Sequence, residues 1–194
     1  ITTASISNSD ISDSGDYGVY FQATGAGSTL SALTIDGTTI DDSGNNGIYL
    51  LGQSAGQISS PVISNSTISS SGNDGITVLL QNAGTAMTGL RIEDSTISGS
   101  ATNGASIQAQ TGTTLTNTTI ADTVFDDNHD QGLYFLSTGA GAVINQTTLS
   151  NVTAQDSGLV GVLLQASTGA QLNNTTSTNL VSKDSGNHGL QIYA

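Results

Sequence analysis

One glycine recurs through the whole chain. It stands at Gly18, Gly47, Gly75, Gly104, Gly132, Gly161 and Gly189, so the intervals run 29, 28, 29, 28, 29 and 28 residues. Each glycine closes a related phrase: ISDSGDYGV, IDDSGNNGI, ISSSGNDGI, ISGSATNGA, FDDNHDQGL, AQDSGLVGV and SKDSGNHGL. A rhythm held through six intervals marks a repeated structural unit, and units of roughly 20 to 50 residues stack as solenoids, propellers or arrays.

The interior of each unit is equally regular. Seven residues before the glycine come Ile11, Ile40, Ile68, Ile97, Phe125, Ala154 and Ser182. Five before those come Ile6, Ile35, Ile63, Ile92, Ile120, Leu149 and Ser177. After the glycine, apolar residues alternate, as in Val19 and Phe21, Ile48 and Leu50, or Ile76 and Val78. That period of two is a strand with one face inward. Dense Ile, Val and Thr without Ala, Leu, Glu or Lys runs argue against helices. Each unit holds about three strands, each too short to stand alone. Stacking one coil on the next is the remaining way to bury them.

Two further columns test this register. Two residues beyond the middle Ile stand Asn8, Gly37, Asn65, Asp94, Asp122, Asn151 and Asn179, residue types that tolerate a left-handed corner. Where the inward residue shrinks to Ala154 and Ser182, its inward neighbour grows from Ser or Thr to Val152 and Leu180. A filled interior demands that exchange of volume.

The coil length, the strand-Asn-strand corner and the I-x-x-S-G-x-x-G-I phrase resemble the right-handed parallel β-helix repeats of the pectin lyase-like superfamily, of the kind found in bacterial surface adhesins. The resemblance spans essentially all 194 residues. It implies an all-β, right-handed parallel β-helix solenoid of about seven coils of 28 to 29 residues, with three short strands per coil. Residues 1–194 form one domain, expected to be a fragment of a longer exported protein. The superfamily includes polysaccharide lyases and hydrolases, phage tailspikes and adhesins, so the resemblance is specific for fold alone.

Charge narrows the function. Arg91 and Lys183 are the two basic side chains against 15 carboxylates, a formal net charge of -13. Nothing there neutralises phosphates, which excludes nucleic acid and disfavours anionic membrane surfaces. No apolar run approaches the roughly 18 residues that span a bilayer. Absent cysteine rules out disulfides and thiolate metal sites.

The surface rows supply the candidate sites. In enzymes of the resembled superfamily, the substrate groove lies on the outer face of the sheet that the post-glycine strands would form. That row reads Tyr20, Tyr49, Thr77, Ser106, Tyr134, Leu163 and Gln191. It contains no acid, base or cation, so catalysis by this segment is not expected. Tyr20, Tyr49 and Tyr134, with Tyr193 nearby, form a candidate face for sugar rings or a partner protein.

Five residues before each glycine runs an acidic column: Asp13, Asp42, Ser70, Gly99, Asp127, Asp156 and Asp184. Stacked carboxylates repel unless protonated or bridged by a cation. Asp126, Asp127, Asp130, Asp156 and Asp184 are therefore candidate ligands for calcium, a hard cation that takes oxygen donors. The competing account is a solvated turn whose Asp and Ser side chains bond to nearby backbone.

These features suit a structural or adhesive repeat segment of a secreted or cell-surface protein, a rigid acidic rod that presents binding surfaces. Its expected partners are glycans or other surface proteins, self-association included. The alternatives are a polysaccharide-active lyase, hydrolase or tailspike segment with catalytic groups elsewhere, and a carbohydrate-binding module without turnover.

Overall fold

The computed structural model describes residues 1–194, with twenty-four strands and no helix. Strands of successive coils pair in parallel and build three sheets, of ten, seven and seven strands. We call them A, B and C in the order the chain visits them. One coil passes through Leu33–Asp36 in sheet A, Thr39–Asp41 in sheet B and Ile48–Gln53 in sheet C. A Gly-containing loop then returns the chain to sheet A at Gln57–Ser59.

The register is the one the repeat predicts. In sheet B, Ile11, Ile40, Ile68, Ile97, Phe125, Ala154 and Ser182 are successive partners. In sheet A the same holds for Ile6, Ile35, Ile63, Ile92, Ile120, Leu149 and Ser177. The inward residues merge into a single cluster of 32 buried hydrophobics, so the interior is one continuous core rather than a series of small ones. Val152 and Ala154 both belong to it, and Leu180 packs against it, as the exchange of volume requires.

Two corners per coil follow from residue type. Asn8, Gly37, Asn65, Asp94, Asp122, Asn151 and Asn179 all have φ between 47° and 56°. So does the acidic column: Asp13, Asp42, Ser70, Asp127, Asp156 and Asp184 have φ of 50° to 54°, and Gly99 has 62°. Asp, Asn and Gly occupy the left-handed region more readily than other residues. A third corner, at Ala32, Ser60, Gly89, Asn117, Gln146 and Asn174, escapes sequence analysis because its residues share no chemistry. In the first coils it splits the sheet A segment into two strands. From Thr114–Ala121 onward the strand runs through the bend unbroken, which joins both halves into the ten-stranded sheet.

The repeat glycines have another role. None has a positive φ. A Cβ built on Gly75 would strike Ile97 Cγ2 and sit 2.7 Å from the Gly104 carbonyl oxygen. From Gly18 to Gly161, each repeat glycine thus stands where the following coil leaves no room for a side chain.

Candidate functional site

The residue just before each repeat glycine reads Tyr17, Asn46, Asp74, Asn103 and Gln131 over five coils. Backbone bonds stack this column: the amides of Gly18, Gly47, Gly75 and Gly104 donate to the carbonyls of Asn46, Asp74, Asn103 and Gln131 at 2.9–3.2 Å. The column flanks the outward row of sheet C, where Tyr20, Tyr49, Thr77, Ser106 and Tyr134 are successive partners. Column and row together line a polar groove of about 210 Å³. Tyr17, Asn46, Tyr49, Asp74, Thr77 and Gln108 are among its walls.

One end of the groove is aromatic. Tyr17 and Tyr20 stack with ring centroids 5.2 Å apart, Tyr20 and Tyr49 at 5.5 Å, and Tyr17 tilts against Tyr49 at 5.1 Å. These separations are those of favourable aromatic pairs. Tyr20 stays 44% exposed, so the cluster is a presented surface and not a piece of core. Burial, reinforced by Asp16 and Tyr20, raises the pKa of Tyr17; burial and its two tyrosine neighbours raise that of Tyr49. Both hydroxyls remain protonated donors at neutral pH.

The other end is built around a buried acid. Asp74 is 7% exposed. Its Oδ2 accepts from the Thr77 hydroxyl at 2.7 Å. Its Oδ1 accepts from the Asn103 amide N–H at 3.1 Å, from Asn103 Nδ2 at 2.8 Å and from the Thr102 hydroxyl. Asn46 Nδ2 in turn donates to Thr77 Oγ1 at 2.6 Å. Hydrogen bonds to the charged form are what allow a carboxylate to stay inside a protein. The outward row itself carries no acid, yet the preceding turn sets one beside it.

Comparison with known proteins fits this architecture. A family model described as "right handed beta helix region" matches residues 2–146. The chain belongs to the right-handed β-helix family. No curated protein matches it. Among solved structures, this β-helix resembles a GH136 lacto-N-biosidase from Eubacterium ramulus at 9% identity and TM-score 0.47, covering 97% of this chain and 49% of that one. It resembles the catalytic unit of a GH87 α-1,3-glucanase from Streptomyces thermodiastaticus at 15% identity and TM-score 0.34, covering 94% and 48%. It also resembles the Streptococcus pneumoniae surface protein and adhesin PfbA at 8% identity and TM-score 0.32, covering 98% and 68%. The chain spans about half the length of the two glycoside hydrolases. These likenesses are of fold alone.

Within the β-helix the expected tyrosine face divides. Tyr20 and Tyr49 meet, joined by Tyr17, which sequence analysis passes over because it precedes the glycine. Tyr134 lies beyond Thr77 and Ser106 and donates its hydroxyl to Gln165 Oε1 at 3.0 Å. Tyr193 is farther still and pairs in register with Gln165. The column is legible in the sequence as five consecutive polar residues at one repeat position.

The five candidate calcium ligands do not converge: no three Asp, Glu or His side chains are disposed to hold one ion. Asp127, Asp156 and Asp184 are exposed corner residues of left-handed φ. Asp126 Oδ1 instead accepts from Gln155 Nε2 at 2.8 Å, and Asp130 Oδ1 contacts His129 Nδ1 at 2.9 Å. The column's recurrence follows from backbone conformation, which Asp satisfies as well as Asn or Gly does.

Proposed function

We propose that this β-helix is a rigid, acidic segment of an extracellular or cell-surface protein that docks a carbohydrate in the groove on sheet C. The observation that carries the proposal is the abutment of the Tyr17, Tyr20 and Tyr49 stack on the hydrogen-bonding walls around Asp74. A sugar ring has an apolar C–H face and a hydroxyl edge, and that pairing of surfaces suits both. The stacked coils add stiffness over about 30 Å, each rising about 4.8 Å, so the groove is held at a fixed place on a rod. Docking without turnover is favoured because the groove walls hold a single carboxylate, Asp74, whereas glycoside hydrolysis uses a pair.

The test is a glycan array probed with the unaltered chain and with Tyr20→Ala/Tyr49→Ala. Binding by the first, lost by at least about tenfold in the second with an unchanged circular dichroism spectrum, supports docking through the aromatic stack. Equal binding by both proteins removes the groove from consideration. Release of reducing ends during incubation would replace docking with catalysis.

A further inference from the structure

We infer that the groove accepts a neutral saccharide and rejects an anionic one, an inference that rests on the docking function proposed above. The argument begins with hydrogen counting. Thr77 has one hydroxyl hydrogen, and Asp74 Oδ2 takes it, so Thr77 meets Asn46 only as an acceptor. The Asn46 amide is thereby oriented with Nδ2 toward Thr77 and Oδ1 turned elsewhere. Asn46 is 4% exposed and lines the groove, and its Oδ1 has no partner within the chain. That oxygen is sealed from solvent, so Asn46 offers the groove no acceptor and serves to hold Thr77 in place.

Asp74 is the acceptor with capacity to spare. Its Oδ1 is crowded with donors, but Oδ2 receives a single bond, from Thr77, and a carboxylate oxygen accommodates about two. Asp74 Oδ2 is therefore the groove acceptor with room for a further donor, and a hydroxyl of a neutral sugar supplies it.

An anionic sugar supplies the wrong sign. No cation compensates Asp74: Arg91 lies on sheet A and bonds Glu93, and Lys183 lies on sheet B. The N-terminal amine donates to the Thr29 carbonyl, and no histidine lines the groove. A uronate, sialate or sulfate would enter beside a poorly hydrated carboxylate. At an effective dielectric near 20, like charges about 8 Å apart weaken binding about thirtyfold.

The experiment is an array that pairs neutral oligosaccharides with their uronate-, sialate- and sulfate-bearing counterparts, at low ionic strength and pH 7.5 so that histidines are neutral. Binding confined to the neutral members is expected. Asp74→Asn should narrow the preference for neutral over anionic members by about tenfold or more. If that variant does not fold by circular dichroism, the comparison on the unaltered chain decides alone. Anionic members bound as tightly as neutral ones overturn the inference and leave the docking function standing. No binding to any member overturns the docking function, and the inference with it.

Discussion

Gly75→Ala isolates what the repeat glycine does. The residue has ordinary φ, so alanine imposes no backbone strain there. The added methyl would instead meet Ile97 Cγ2, the Gly104 carbonyl oxygen at 2.7 Å and Ser100 Oγ at 3.0 Å, all on the following coil. The carbonyl is the contact that cannot yield, because the same oxygen accepts the Ile76 amide at 2.9 Å in the sheet C ladder. Making room means parting two coils. Overpacking of this kind costs about 1–3 kcal/mol, and contact with fixed backbone places Gly75→Ala near 3 kcal/mol. Restriction of the unfolded chain returns about 0.4–1 kcal/mol of that. Gly15→Ala is the matched control, since a methyl there meets no atom within 4 Å and its φ is not left-handed. It should change stability only through the unfolded chain. Urea unfolding followed by circular dichroism reads the difference: with a slope of about 2–3 kcal/mol/M, Gly75→Ala lowers the midpoint by about 1 M relative to Gly15→Ala. Because each coil touches only its neighbours, amide exchange should accelerate first at Ile48 and Ile76, which donate to the Gly75 and Gly104 carbonyls. Coincident transitions for the two variants would refute the close-approach account.

Asp127→Asn should leave thermal stability within about 0.5 kcal/mol, whereas Asp127→Val, β-branched at φ 50°, should cost about 1–2 kcal/mol; equal losses would show that charge and not conformation selects the acidic column. Hydrogen bonds from Asn65 and then Ser64, each 2.8 Å, hold the Asp36 carboxyl below the usual carboxylate range. The stabilisation from Asp36 is thus present above the unfolded value near 3.9 and lost as pH falls through the lower folded value. Asn65→Gly, which keeps the left-handed corner, should move the Asp36 titration upward by carbon NMR, and an unmoved titration would remove Asn65 as its cause. Burial raises the pKa of Tyr17, Tyr49 and Tyr134, so their neutral forms stabilise the fold fully below pH about 10 and less as pH rises through the folded values. An ultraviolet titration should therefore show part of the tyrosine absorbance appearing late, and a single step at the ordinary value would contradict this packing.

How far the sequence spoke differs between scaffold and site. Columns of Ile are legible because one inward position repeats the same burial in every coil. The corners at Asn65 or Asp127 are legible because few residue types tolerate a left-handed backbone. The corner shared by Ala32 and Gln146 is not, because there stacked neighbours impose a conformation that the residues do not themselves prefer. At the site, Tyr20 and Tyr49 announce themselves by alternation along a strand. Asp74, Asn46 and Tyr17 do not, because they stand in the turn before the strand, where polar residues are unremarked. Their importance comes from meeting across coils, as when Asn46 reaches Thr77 or Thr102 reaches Asp74. The same regularity suggests calcium at the acidic column, whereas the preference of single residues for φ near 50° is by itself enough to produce that recurrence.

The ladder that joins each coil to the next also sets how the molecule answers to load. Tension applied between the two ends acts along the rod, hence along the inter-strand bonds, and opens them by peeling rather than by shear. A freed coil of 28 or 29 residues lengthens the tether by roughly 90 Å, its extended contour of about 3.3–3.6 Å per residue less the rise it occupied. Under traction the β-helix yields in discrete, nearly equal steps, a shock absorber graduated by its own repeat.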